Sequence, residues 1–146
     1  MAKIVSINIS KRKGEPKTPV LKALARENYG LQGDVHAGPW HRQVSLLAQE
    51  SIDRMIALGA PDLAPGDFAE NITTEGMTLH TLPVGTRLRL GVCEAEVTQI
   101  GKQCHQHCAI FQKLGTCIMP REGIFVRILK GGELHPGDSV EILSKP

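Results

Sequence analysis

A chain of 146 residues carrying 17 basic and 15 acidic side chains, net charge +2, has the length of one domain over residues 1–146. It lacks the clustered positive field that non-specific nucleic-acid binding requires, so no nucleic-acid partner is expected. No segment reaches about eighteen consecutive apolar residues, and the opening Met1-Ala2-Lys3-Ile4-Val5-Ser6-Ile7 is too short an apolar run for a signal peptide, so the expectation is a cytoplasmic protein with no membrane partner.

Fifteen glycines and nine prolines punctuate short β-rich runs, which predicts a mostly β fold, a barrel with one or two accessory helices. The first strand is expected over Lys3 to Ile9. The basic stretch that follows, Lys11-Arg12-Lys13 with Lys17, reads as a solvated loop. A strand over Gln43 to Leu47 runs into a helix from Gln49 to Leu58, with Ile52, Met55 and Ile56 at helical spacing and Gly59 then Pro61 as stops. Further strands are expected over Thr86 to Leu90 and Val92 to Ile100, with Gly91 as a tight turn or bulge and Arg87 and Arg89 on a wet face. A second short helix is expected near Gln106 to Leu114, then strands over Ile124 to Leu129 and Ser139 to Leu143. Leu82-Pro83-Val84-Gly85 and Leu134-His135-Pro136-Gly137 each feed an alternating strand and read as barrel corners, with Leu63-Ala64-Pro65-Gly66 as a looser third.

Three segments could carry chemistry. In Gly30 to Leu47, glycines flank Asp34 and His36, so the backbone can approach a bulky ligand while an acid and an imidazole stay available. The alternative is a turn fixed by Asp34 with surface histidines. Arg42 in this segment could grip a phosphate in fork geometry or pair with Asp34. Glu70-Asn71, set between Phe68 and Ile72, must find hydrogen-bond partners if buried.

The second segment, Gly101-Lys102-Gln103-Cys104-His105-Gln106-His107-Cys108, follows a strand directly. Lys102 or a protonated His105 would lower a neighbouring thiol's pKa and leave a poised thiolate at Cys104. Zinc held by Cys104, Cys108 and Cys117 with one histidine is the competing reading, although the gap of three residues is not that of a zinc knuckle. Cys93, alone in a strand, reads as core. In the third segment, Arg121 and Glu122 form either a surface pair or, through Arg121 with Lys102, the completion of an anion site.

Gly33-Asp34-Val35-His36-Ala37-Gly38, Arg42-Gln43-Val44-Ser45-Leu46-Leu47, Gly66-Asp67-Phe68-Ala69-Glu70-Asn71 and a strand leading into Lys102-Gln103-Cys104 occur in this order, and together they resemble the MOSC domain, the C-terminal domain of molybdenum cofactor sulfurases. The resemblance covers nearly the whole chain and is closest to compact stand-alone bacterial members. It implies a mostly β barrel and a molybdenum cofactor (molybdopterin) ligand. It also implies a cysteine, at the position of Cys104, that carries persulfide sulfur or ligates molybdenum. On this reading Lys102 and His105 tune the thiol, Arg42 and Arg121 contact the pterin phosphate, Asp34, His36 and Asn71 line the pocket, and Gly33 and Gly38 let the backbone come close. The chain has no room for the pyridoxal-phosphate domain with which full sulfurases extract sulfur, so a protein sulfur donor and an acceptor protein are the expected partners. A carrier that holds the cofactor without turnover, and a structural or sensory zinc module on Cys104, Cys108 and Cys117, are the alternatives.

Overall fold

The computed structural model of the protein describes residues 2–13, 15–59, 64–101 and 122–146. Strands β1 (Lys3–Ile9), β2 (Thr18–Val20), β3 (Ala23–Arg26), β4 (Gly30–Leu31) and β5 (Val44–Ala48) precede helix α1 (Gln49–Ala57). Strands β6 (Ile72–Glu75), β7 (Arg87–Leu90), β8 (Cys93–Ile100), β9 (Ile124–Lys130), β10 (Gly132–Leu134) and β11 (Val140–Ser144) follow it. An eight-stranded sheet runs in the order β11-β7-β8-β9-β5-β6-β1-β2, and a three-stranded sheet in the order β10-β3-β4. The single parallel pair named in the large sheet, β5 with β6, demands a crossover, and α1 lies within it.

As expected, the chain is mostly β with one helix among the described residues, and the large sheet curls like a barrel without closing as one. Its near-closure is one bridge, Lys3 with Ser139. There Ile4 N donates to Asp138 O at 2.8 Å and Val140 N to Ala2 O at 3.0 Å. The physical reason is that the outer edge of β1 is shared: β2 takes the Ile7–Ile9 end, leaving only the Lys3 end for the β11 side.

Alternation along β5 decides where everything else sits. All five of its residues are buried, as a central strand covered on both faces must be. Val44, Leu46 and Ala48 enter the main core with Ile4, Ile7, Ile72, Leu88, Leu90 and Val126. Leu47 points the other way, into a second cluster with Ile52 and Met55 of α1, Phe68 and Phe125. Ser45 shares that second side by the period-two rule, and so does the polar site described below. Ala25, Leu31 and Leu134 bring the small sheet onto the main core.

The helix begins at Gln49 as expected and buries Ser51, Ile52 and Met55. Along β7 the arginines are exposed and the leucines buried. Cys93 is buried in the main core, where loss of solvent pushes its thiol up to about 11, a rise that Asp138 adds to and Lys130 opposes. It therefore stays protonated and inert at neutral pH.

The three proline-glycine corners adopt one conformation: Gly66, Gly85 and Gly137 have φ of +94°, +97° and +96°. At Gly66 the requirement is doubled, because a Cβ there would lie 2.0 Å from the Lys17 carbonyl oxygen. Among the described residues no helix is long and apolar enough to cross a membrane. The second predicted helix, near Gln106 to Leu114, lies outside the described residues.

Candidate functional site

The site grows from a buried ion pair. Lys17, expected in a solvated loop, is buried: its side chain and that of Asp34 are both 0% exposed, with Nζ 2.8 Å from Asp34 Oδ1. Only Lys11, Arg12 and Lys13 of the basic run are exposed. Lys17 is drawn inward because its backbone N–H donates to Gly66 O at 2.8 Å, tying the start of β2 to the 66–71 turn. Asp34 is hydrogen-bonded on both oxygens, accepting Ser10 N at 3.0 Å on Oδ1 and His36 N at 3.1 Å on Oδ2. Lys17 Nζ also reaches Ser10 Oγ at 3.2 Å and His36 Nδ1 at 2.9 Å. A buried charge is tolerable only when paired and hydrogen-bonded in this way. Asp34 thus fixes its turn, as one reading had it, but its ionic partner is Lys17 and not Arg42.

Arg42 bonds elsewhere. Its Nε donates to Gln99 Oε1 at 3.1 Å, and its guanidinium lies 5.5 Å from the Phe125 ring centroid and 6.0 Å from that of Trp40. The Trp40 indole is itself fixed, donating from Nε1 to His36 O at 2.8 Å. His36, Trp40, Arg42 and Phe125, with Ser45, Ala69 and Asn71, line a cavity of about 60 Å³. Three predicted ligand-binding residues, His36, Arg42 and Asn71, therefore meet in one wall. Trp40 also borders a wider groove of about 530 Å³ that includes Asn28, His41, Thr98 and Arg127.

Gly33 and Gly38 have open space beside their backbones among the described residues. Gly33 has φ +89°, a turn requirement, yet a Cβ on it would meet only Ile9 Cδ1 at 4.0 Å. A Cβ on Gly38 would meet Trp40 Cδ1 at 3.8 Å, an ordinary contact. Neither backbone is pressed against another described part of the protein.

The floor of the cavity is a hydrogen-bonded polar layer. Asn71 Oδ1 accepts from Ser45 N at 3.0 Å and from Ser45 Oγ at 3.2 Å, while its Nδ2 donates to Asn8 O at 3.1 Å. Ala69, at φ +61°, is one of two non-glycine residues with positive φ among those described. Such a strained residue in a cavity wall marks a position held by its surroundings. Behind it Glu70, fully buried, accepts from Thr73 Oγ1 at 2.8 Å and Phe68 N at 3.3 Å. Burial raises its carboxyl pKa above 4.5, against the lowering effect of the hydrogen bonds from Gly66, Thr73 and Phe68. A raised folded-state pKa makes the contribution of Glu70 to stability fully present below the unfolded value and lost as pH rises through the folded one. Glu70→Gln should therefore gain in thermal midpoint relative to wild type as the pH is raised from 4.5 towards neutrality. Parallel melting curves for the two proteins at every pH would rule this out.

The segment carrying Lys102, Cys104, His105, Cys108, Cys117 and Arg121 lies outside the described residues, but the point where it leaves the sheet is defined. Gly101 closes β8 with its N–H donating to Gly123 O at 2.6 Å. Gln99 links this point to the cavity: Nε2 donates to Gly101 O at 2.8 Å, and Oε1 accepts from Arg42. At the other end, Glu122 accepts from Ser51 Oγ of α1 at 2.6 Å and pairs with Arg54. Among the described residues no group of three or more His, Cys, Asp or Glu is placed to hold a metal. Sequence reasoning missed Lys17 and Gln99. Proline on both sides of Lys17, at 16 and 19, separates it from the exposed run and was the available sign that it leads into a strand.

A family model described as the MOSC domain matches residues 32–141. Over 142 residues the chain is 26% identical to YflK of Bacillus subtilis, covering 90% of this chain but only 64% of YflK's length. Among solved structures, YuaD of Bacillus subtilis superposes with a TM-score of 0.79 at 18% identity, over 97% of this chain and 96% of that one. YiiM of Geobacillus stearothermophilus gives 0.75 at 21% identity, over 99% of this chain and 76% of that one. YiiM of Escherichia coli gives 0.72 at 18%, over 100% and 71%. At such identities the superpositions establish the fold alone, whereas the family model spans most of the chain, including the Asp34, Arg42 and Asn71 segments. The protein belongs to the MOSC domain family.

Proposed function

We propose that the chain binds a molybdenum cofactor, or an intermediate of it, by its phosphate at the Arg42 cavity, and that Cys104 carries sulfur for that cofactor or ligates its molybdenum. The observation that carries the reading is the Arg42–Gln99–Gly101 chain of hydrogen bonds, which ties the departure point of the cysteine segment to the cavity. Cys104 follows Gly101 by three residues, a reach of at most about 11 Å of chain.

The residues present suit such a ligand. A cavity of about 60 Å³ takes an anionic group and not a pterin, and the groove across Trp40, about 530 Å³, is in the range of organic ligand sites. Arg42 donates through Nε to Gln99, and its terminal nitrogens make no hydrogen bond to a described residue, leaving the fork geometry for phosphate. Asn71 and His36 add polar groups in the same wall. The bound cofactor would supply molybdenum as sulfur acceptor or as the metal ligated by a soft thiolate. Arg121 with Lys102 would add charge to the phosphate, and Lys102 with His105 would lower the Cys104 pKa.

Loading of Cys104 requires a donor protein persulfide. The Cys104 thiolate attacks the terminal sulfur, the donor S–S bond breaks, and the donor cysteine leaves as thiolate. Replacing Arg42 by alanine should weaken cofactor binding roughly 10- to 100-fold, the worth of a charge-assisted hydrogen-bonded pair. Equilibrium dialysis under anaerobic conditions measures it, and equal affinities of wild type and Arg42→Ala would place the phosphate elsewhere.

A further inference from the structure

We propose that Gln99 is a positioning residue that couples the two halves of the site, so that an anion held by Arg42 alters the reactivity of the Cys104 thiol. Strict alternation along β8 would send residue 99 into the core after Cys93, Ala95 and Val97, all of them buried. A β-bulge intervenes: Val97 pairs with Val126 and Gln99 with Phe125, so Thr98 is an extra residue on β8. The bulge shifts the alternation by one and turns Gln99 to the side of the sheet that carries Arg42 and Phe125. It is held by the Thr98 hydroxyl, which bonds to His41 O and, at 3.1 Å, to Phe125 O.

The Gln99 amide fits its two partners in one orientation only. Arg42 Nε donates and cannot accept, and Gly101 O accepts and cannot donate, so Oε1 faces the first at 3.1 Å and Nε2 the second at 2.8 Å. A planar amide engaged at both ends cannot turn on one partner without turning on the other. The Gly101 end is a buried glycine at φ +68°, whose N–H is already committed to Gly123 O at 2.6 Å. Holding its carbonyl as well fixes the plane of the peptide by which the chain leaves the sheet, three residues before Cys104.

At the other end, the guanidinium of Arg42 is located by this amide and by the rings of Phe125 and Trp40. Its terminal nitrogens make no hydrogen bond to a described residue, so an entering oxyanion bonds there and draws the group into the cavity. Whatever moves Nε moves the amide, and the amide moves Gly101 O. This coupling rests on the anion reading of the Arg42 cavity, because without a bound anion there is nothing to transmit.

The test measures two quantities on the full-length protein under anaerobic conditions. One is the binding of inorganic phosphate by titration calorimetry; the other is the rate at which iodoacetamide alkylates Cys104, followed by peptide mass spectrometry with and without saturating phosphate. Wild type should bind phosphate saturably and show a Cys104 rate that changes about fivefold or more when the site fills. Gln99→Met, of similar length but with neither polar atom, should still bind phosphate through Arg42 yet give the same rate with and without it. Gln99→Glu keeps an acceptor for Arg42 and loses the donor to Gly101 O, so its rate should also ignore phosphate. A direct field of the anion on the thiol would persist in both variants and overturns the proposal. A merely structural role for Gln99 would change the rate equally with and without phosphate, leaving their ratio at the wild-type value, and overturns it too. Failure of wild type to bind phosphate overturns the cavity reading itself, whereas binding with no effect at Cys104 overturns the coupling alone.

Discussion

Asp34→Ala is expected to cost about 3–5 kcal/mol of stability, because it leaves the Lys17 ammonium buried without its carboxylate. Both side chains of the pair are inaccessible to solvent, so water cannot replace the lost partner. Ser10 N and His36 N lose their acceptor in the same step. For a chain of this length the cost corresponds to a fall in melting temperature of roughly 10–15 °C. Lys17→Met should be similarly damaging, since it strands Asp34. The double variant Lys17→Met/Asp34→Ala should recover a large part of the loss, because a buried pair stabilises little relative to apolar replacements while each half alone is costly. Thermal melts of the four proteins close this cycle. A single-variant cost below about 1 kcal/mol, or a double variant as unstable as the sum of the singles, would contradict a desolvated pair.

Gly66→Ala is expected to have an effect of comparable size, at least about 3 kcal/mol, through backbone geometry alone. Its φ of +94° is strained for any L side chain, and the added Cβ would lie 2.0 Å from the Lys17 carbonyl oxygen. A backbone carbonyl oxygen directly preceding a strand cannot swing away as the end of a long side chain can. Relief requires β2 to move, and with it Lys17, whose N–H donates to Gly66 O. Gly137→Ala serves as the control: it shares the conformation, φ +96°, but has nothing within 4 Å of the added atom. Equal destabilisation at Gly66 and Gly137 would mean that conformation alone matters and the close approach does not.

These positions also show how far the sequence could be read. The strands with apolar–polar alternation or sustained β-branched character were legible: β1 runs over Lys3–Ile9 as expected, and α1, β7, β8, β9 and β11 fall within one or two residues of expectation. The strands not foreseen, β2, β3, β4, β6 and β10, have between two and four residues each. Alternation over two to four residues is a weak signal, so such strands exist through tertiary pairing and leave little local trace. The partial closure of the curl was likewise invisible, being set by which neighbour occupies each end of β1's outer edge.

In the site, the clustering of His36, Arg42 and Asn71 was implied by the family resemblance. The ionic partner of Asp34 was not. Charge on the sequence suggested Arg42, but only the fold brings Lys17 inside, by the hydrogen bond it shares with a glycine 49 positions later. Buried lysines are rare enough that a sequence offers no reason to single one out.

The claim that matters most is a cofactor site served by Cys104. The direct measurement is anaerobic incubation of wild type and Cys104→Ser with molybdenum cofactor and a persulfide donor protein, followed by elemental analysis and intact mass. The account predicts molybdenum retained by wild type and lost from Cys104→Ser, or a gain of one sulfur atom on wild type alone. Identical molybdenum and mass in the two proteins would contradict it, as would about one zinc per wild-type chain in place of molybdenum, which the structural-metal alternative requires.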